Sequence, residues 1–368
     1  MQLAELDKLL ERTPVMLQAH PALLAYLSPD IQVLPTASAL LRVLDTPEPL
    51  PIAPMVTFDV QSHHRSRLPI AYCALDPYTD ALNAVLSTRY ATIAAHTLTQ
   101  QHIADEIVKM SCDCEVILLL LIDGLAYRDV RDWPDQIEHP SALLPCLATG
   151  PTITRFCFPT IIGNPPLAAR LFDQGFSVRL GVSYWSRADN ELTNRLFATI
   201  HDMQRCISMK DTIEYVGHSL QKHCRERIYI QIIRVGLDAD AHHNRELPPI
   251  TGMLHQILME INILARLLER TKKRSRLFVT SDHGILWRHE FTPDVIGHAQ
   301  GNARMAHWRD LVHQSKPGMR FIVADEVYHA LPYPLLRRPL RSDEAGLHGG
   351  ISFQESIVPF LAVEVNVC

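Results

Sequence analysis

Seven consecutive apolar residues, Val116–Ile122, followed at once by Asp123 and Gly124, constrain this 368-residue chain more than any other stretch. A run with no polar-out alternation belongs to a strand buried on both faces, as in a parallel sheet covered by helices. It is far too short to cross a bilayer, which takes about 20 apolar residues. An acid directly after such a strand lies at the carboxyl edge of the sheet, where open α/β folds place their ligands. The glycine lets the backbone turn sharply beside whatever Asp123 holds. Asp123 also suits the N-cap of a following helix, and the sequence at this point leaves both readings open.

The same pattern recurs downstream. Phe176–Val182, Ile228–Val235, Leu277–Thr280, Arg320–Val323 and Phe360–Val365 read as strands, and Leu254–Arg270 reads as a helix that ends in a basic run. Alternating strands and helices predict an α/β fold, a mostly parallel sheet with helices on both faces, over residues 111–368. Residues 1–110 read as an N-terminal extension, mainly helical, with a Pro-rich connector between Thr46 and Pro54. Its expected helices are Leu3–Glu11, Ala37–Leu44 and a long one from Thr79 to Met110; Thr57–Leu75 is strand-like.

Composition removes some classes of function. A net charge of -5 argues against a surface coated with cations for nucleic acid, while leaving room for a local basic groove. Met1–Glu11 lacks a basic segment followed by an apolar one and does not read as a signal peptide. Cys112 and Cys114 are the only close pair of the eight cysteines and have no second pair to complete a structural zinc site. Reduced thiols, a cytoplasmic location and no membrane partner are the expectations.

Five short pieces carry chemistry. Asp123 is the first. Thr154, in Pro151-Thr-Ile-Thr-Arg155, stands where a hydroxyl enters a helix and can serve as metal ligand and nucleophile, with Thr152 as its competitor. Asp238 and His242 are four apart, one helical turn, and can share a divalent ion; Asp240 with His243 is the rival register. Asp282 and His283, before Gly284, leave a strand end together and can reach one ion. His348 precedes two glycines on a close-approach loop. Asp123, Thr154, Asp282 and His283 would give one ion an oxygen-rich set, and Asp238, His242 and His348 would give a second ion three ligands. Mixed nitrogen and oxygen ligation without thiolate suits two divalent ions, zinc ahead of manganese. Two such ions can hold the attacking and leaving oxygens of an in-line displacement at phosphorus. Arg155 is the candidate clamp for a phosphoryl oxygen.

Taken in order, these pieces resemble the alkaline phosphatase superfamily. Leu121-Ile-Asp-Gly-Leu-Ala-Tyr-Arg128 and His348-Gly-Gly-Ile-Ser-Phe-Gln-Glu-Ser-Ile-Val-Pro359 resemble its PglZ-domain branch, found in bacteriophage-exclusion (BREX) systems. The resemblance covers residues 115–365 and implies an alkaline-phosphatase-like core with the two metal sets given above. It also implies Thr154 as the nucleophile that forms a phospho-enzyme. The implied function is a metal-dependent phosphodiesterase or nuclease acting on nucleotide or nucleic-acid phosphodiesters, in antiviral defence beside other defence-system proteins. A phosphomonoesterase or phosphate mutase on the same site, and a non-catalytic scaffold of a defence complex, are the alternatives. Two departures stand out: Ala241-His242 replaces the usual Gly-His pair, and Ile162-Gly-Asn-Pro-Pro166 replaces the usual Thr-Gly after the nucleophile's helix.

Overall fold

The computed structural model describes residues 15–17, 32–34, 55–57 and 71–73, and scattered helical residues between 83 and 95. Beyond these it describes residues 97–184, 203–206, 208–234, 237–243, 249–297, 300–307, 309, 318–323 and 325–366. The chain divides into two compact units, one of Met1–Thr97 with Ile351–Phe353, the other of Leu98–Gly350 with Gln354–Cys368. In the first, Val15–Leu17, Gln32–Leu34, Met55–Thr57 and Ala71–Cys73 form a four-stranded parallel sheet. The helices expected at Leu3–Glu11 and Ala37–Leu44 lie outside the described residues.

The second unit is an α/β fold. Its main strands are β1 (Val116–Ile122), β2 (Ser141–Leu147), β3 (Phe176–Tyr184), β4 (Met203–Cys206), β5 (Arg227–Arg234), β6 (Ser275–Ser281) and β7 (Ile357–Val365). They form one sheet in the order β2-β7-β6-β1-β5-β3-β4. The pairings β6–β1, β1–β5, β5–β3 and β3–β4 are parallel, and β7 runs antiparallel to both of its neighbours. Every residue of β1 is buried, as its unbroken apolar run requires.

The helices are α1 (Gln100–Met110), α2 (Thr154–Ile162), α3 (Leu167–Asp173), α4 (Met209–Lys222), α5 (Leu237–His243) and α6 (Ile250–Arg270). One face of the sheet offers Ile117, Leu119, Leu121, Tyr229, Ile233 and Phe278 to Ile103, Ile107, Phe158, Ile161 and Leu171 of α1–α3. Period-two alternation turns the intervening residues to the other face. There α6 is buried along Ile257, Ile261, Leu264 and Leu268, at helical spacing. Ser208 begins α4 with a capping box: its Oγ accepts from Asp211 N–H, and its own N–H donates to Asp211 Oδ2 at 2.9 Å.

Two expectations are corrected and one strand is added. The helix read from Thr79 to Met110 is broken at residues 97–99. Thr99 is extended (φ -120°, ψ 160°) and bridges to Leu147, and Leu98 O accepts Leu147 N–H at 2.9 Å, so β-branched threonines divert the backbone into the sheet. Arg320–Val323 lies not in the parallel sheet but in a small antiparallel one, Met319–Val323 against Glu326–Ala330 against Met305–His307. Its residues alternate between partly buried and exposed, the pattern of a one-sided strand. Strand β2 escaped the reading because Pro145 interrupts it; a proline is tolerated there because β2 is the edge of the sheet.

Candidate metal centre

Strand register builds the centre. Ile122, the last residue of β1, is paired with Ser281 of β6 on one side and Arg234 of β5 on the other. Asp123 and Asp282 therefore leave adjacent strands at one level, and Asp238 follows on α5 just beyond β5. The Asp123 N–H donates to Arg234 O at 2.9 Å, carrying the ladder one residue past the strand. Gly124 has φ +81°, and a Cβ there would lie 2.8 Å from Ile285 Cδ1 and 3.0 Å from the Asp238 backbone nitrogen. The turn that presents Asp123 beside Asp238 thus depends on glycine.

Two buried histidines are aimed by main-chain carbonyls. His283 Nδ1 lies 3.1 Å from Gly284 O, and His348 Nδ1 lies 2.6 Å from Thr152 O. A carbonyl only accepts, so each Nδ1 carries the proton and each Nε2 presents a lone pair. His283 Nε2 faces Thr154 Oγ1 at 3.2 Å, Asp282 Oδ2 at 3.3 Å and Asp123 Oδ1 at 3.6 Å. His348 Nε2 faces His242 Nε2 at 2.8 Å and Asp238 Oδ1 at 3.2 Å, and His242 Nε2 is itself 3.3 Å from Asp238 Oδ1. The His283 and His348 rings stack with centroids 4.0 Å apart.

This arrangement fits divalent ions. Donors around one tetrahedral ion with bonds of about 2.0–2.1 Å stand about 3.3 Å from each other, and the separations above cluster at that value. Asp238, His242 and His348 have donor atoms within 4.8 Å of one another, and so do Asp123, Asp238 and His283. Asp238 Oδ1 and Asp282 Oδ2 are buried without a hydrogen bond of good geometry, an unfavourable state for carboxylate oxygens that a cation relieves.

Neutral His283 and His348 and ionised Asp238 favour ligation, whereas the raised pKa values of Asp282 and His242 oppose it. Burial pushes Asp282 up to about 7, against a hydrogen bond from Thr154. Burial would also raise Asp238, but His348, His242 and His283 outweigh it and hold that carboxyl well below the usual carboxylate range. Burial drives His283 far below the ordinary imidazole value and lowers His348 too, which keeps both rings neutral. Burial opposes charge on His242 as well, but Asp238 beside it overrides that and raises its pKa.

The structure thus brings together Asp123, Thr154, Asp238, His242, Asp282, His283 and His348. It separates the two threonines left open by the sequence. The Thr154 hydroxyl, on the first residue of α2, faces His283. That of Thr152 is engaged elsewhere, donating to Gly350 O at 3.1 Å and accepting from Gly349 N–H at 2.7 Å. Asp238 falls within both donor groups, whereas the sequence reading assigned it to one ion. Asp240 is in neither group, and the side chain of His243 lies outside the described residues.

Arg155 is not brought among the ligands. Its exposed guanidinium donates to Tyr328 Oη at 3.3 Å and lies over the Phe156 ring, 4.6 Å from the centroid. Arg128 is bound to Glu290 at 2.6 Å beneath the first ligand loop. Of the basic run after α6, Arg276 pairs with Asp113 and Glu364 across the sheet's other end.

Several supporting residues were missed by the sequence reading. Gln100 Nε2 donates to Asp282 O at 2.6 Å, and Asn302 Nδ2 donates to His348 O at 3.2 Å. Fully buried Glu355 accepts from Gly350 N–H at 2.9 Å and from Arg304 Nη2 at 2.6 Å. No local pattern marks Gln100, Asn302 or Arg304, because each acts on a segment 46 to 182 positions away.

No protein-family model and no curated protein sequence matches the chain. Among solved structures, it is similar to murine ectonucleotide pyrophosphatase/phosphodiesterase 5, at 13% identity over 67% of this chain and 87% of that one, with a TM-score of 0.46. It is similar to phosphonoacetate hydrolase from Sinorhizobium meliloti, at 12% identity over 68% and 90% of the two chains, TM-score 0.41. It is also similar to the C-terminal periplasmic domain of a phosphoethanolamine transferase from Campylobacter jejuni, at 10% identity over 68% and 78%, TM-score 0.40. Among the described residues, no helix is long and apolar enough to cross a membrane.

Proposed function

We propose that this chain is a metal-dependent phosphoric ester hydrolase that uses Thr154 as its nucleophile. One observation carries the reading: Nε2 lone pairs of His283 and His348, locked inward by Nδ1–H bonds to carbonyls, converge with three carboxylates and a helix-terminal hydroxyl. Two divalent ions, zinc in preference to manganese, would be held by Asp123, Thr154, Asp282 and His283, and by Asp238, His242 and His348. When bound, they would supply Lewis-acid stabilisation of charge at the phosphoryl group.

The chain's own residues account for the rest. Placing Thr154 at the N-terminus of α2 directs the helix dipole and free N–H groups toward an anion beside the hydroxyl. Thr154 Oγ1 gives up its proton and bonds to phosphorus as the ester P–O bond breaks and the leaving group departs as the protonated alcohol. Water then cleaves the phosphothreonine, its hydroxyl going to phosphorus and its proton to Thr154 Oγ1. Burial of Asp282 and His283 keeps bulk water from competing for their lone pairs. The substrate class, nucleotide or oligonucleotide phosphodiesters, rests on the resemblance of Leu121–Arg128 and His348–Pro359 to the PglZ branch. So does a role in phage defence with other defence-system proteins.

Metal content of the purified protein beside Asp282→Ala tests the centre, and hydrolysis of bis(4-nitrophenyl) phosphate against 4-nitrophenyl phosphate tests the ester class. Near two equivalents of zinc, sharply reduced in the variant, are expected, with diester hydrolysis abolished by Thr154→Ala while metal is retained. No metal above background after reconstitution would overturn the reading. Preference for the monoester would transfer it to phosphomonoesterase chemistry.

A further inference from the structure

We infer that Thr152 is a positioning residue that ties the nucleophile's turn to the loop bearing His348, so that the second ion's ligand set depends on a hydroxyl outside it. The inference rests on the two-ion reading above. Thr152 is fully buried and uses its carbonyl and its hydroxyl on a single segment 196–198 residues away. Its carbonyl accepts from His348 Nδ1 at 2.6 Å, which fixes that ring's tautomer and direction. Its hydroxyl accepts from Gly349 N–H at 2.7 Å and donates to Gly350 O at 3.1 Å, holding the two residues that follow His348.

That loop cannot hold itself. Gly349 has φ +114°, and His348, Gly349 and Gly350 themselves lie in no helix or strand, just past the two-residue strand Gly346–Leu347. Its other supports, Asn302 on His348 O and Glu355 on Gly350 N–H, approach the backbone and leave the imidazole unaimed. Only Thr152 contacts both the ring and the following backbone among the described hydrogen bonds. Because Thr152 stands two residues before Thr154, the same latch sets the distance between the attacking hydroxyl and the second ion's ligands. Pro151 before it and α2 after it leave this turn little freedom to drift.

Zinc titration of the metal-free protein by calorimetry tests the assignment on Thr152→Val, which keeps shape and loses both hydroxyl bonds, and on Thr152→Ser, which keeps the hydroxyl. The wild type should bind two ions. In the valine variant one ion should weaken by about 10–100-fold, the range seen when a ligand's outer partner is lost, while the other changes less than about twofold. Serine should restore both. Equal weakening of both ions, no weakening, or failure of serine to restore binding would overturn the inference while leaving the two-ion reading intact. A wild type that binds no zinc would instead sink the reading beneath it. Should the valine variant not fold, ¹⁵N spectra of histidine-labelled wild type decide the matter. The His348 signals, identified by their loss in His348→Gln, should show the Nδ1–H tautomer, and an Nε2–H tautomer would refute the latch.

Discussion

Gly350→Ala probes the His348 loop from the side opposite Thr152. A Cβ at residue 350 would lie 2.5 Å from Arg304 Nε and Nη2 and 2.6 Å from its Cζ. That is about 0.9 Å inside ordinary van der Waals contact, which begins at 3.4 Å. A surface arginine would swing aside, but Arg304 is fully buried. It donates to Glu355 Oε2 at 2.6 Å and through Nη1 to Pro332 O at 3.1 Å and Leu335 O at 2.6 Å. If the loop yields, the penalty is that of overpacking, about 1–3 kcal/mol. If Arg304 yields, its buried ion pair with Glu355 is broken, at about 3–5 kcal/mol. The loop is the softer partner, so a loss of about 2–3 kcal/mol is expected, with His348 displaced two residues upstream. Calorimetric melting should then fall by about 4–5 °C, and one of two zinc equivalents should be lost. Gly252→Ala, at an exposed position of α6, is the control: its Cβ meets nothing within 4 Å, so the change should be neutral or stabilising by up to about 1 kcal/mol. A Gly350→Ala protein that melts within about 1 °C of wild type and takes up both ions would refute the reasoning.

Two further predictions follow from charge. Zinc uptake should strengthen as pH rises through about 7, because burial holds a proton on Asp282 up to that point and the ion must displace it. Below about 7 the apparent affinity should fall about tenfold per pH unit for this one proton, and calorimetric titrations flat from about pH 5.5 to about 8 would contradict the assignment. Glu260→Ala should cost about 3–5 kcal/mol in chemical denaturation, because it breaks a buried ion pair in which Arg234 Nε lies 2.6 Å from Glu260 Oε2. A loss below about 1 kcal/mol would show that the pair is not desolvated as the structure has it.

The parts of the centre legible in the sequence are those written into strand ends. Asp123 and Asp282 follow apolar runs, and parallel register places whatever follows β1, β5 and β6 at a common edge. Residue type and spacing left Thr154 and Thr152 open, since both hydroxyls precede the same helix and differ only in which way the turn points them; the family resemblance alone favoured Thr154. The sharing of Asp238 between donor groups depends on how far α5 tilts, a tertiary quantity. Strand β2 hid behind Pro145, and the break at Thr97–Thr99 hid inside a helical apolar pattern until Leu147 supplied a β partner. The Arg304–Glu355 support bridges 51 residues, and nothing in either neighbourhood signals the other.

Strand β7 sits inside the sheet, between β2 and β6, although it is made 210 residues after β2 in chain order, as the pairing of Leu147 with Ile357 records. During synthesis from the N-terminus, β2 therefore waits as a lone strand and β6 presents an open edge until residues 357–365 arrive. Unpaired strand edges are templates for other chains. His348, nine residues ahead of that strand, reaches the centre at almost the same moment. The order of synthesis thus makes closure of the sheet and completion of the ligand set nearly one event, and it makes the interval before that event the one in which the nascent chain most needs protection from its neighbours.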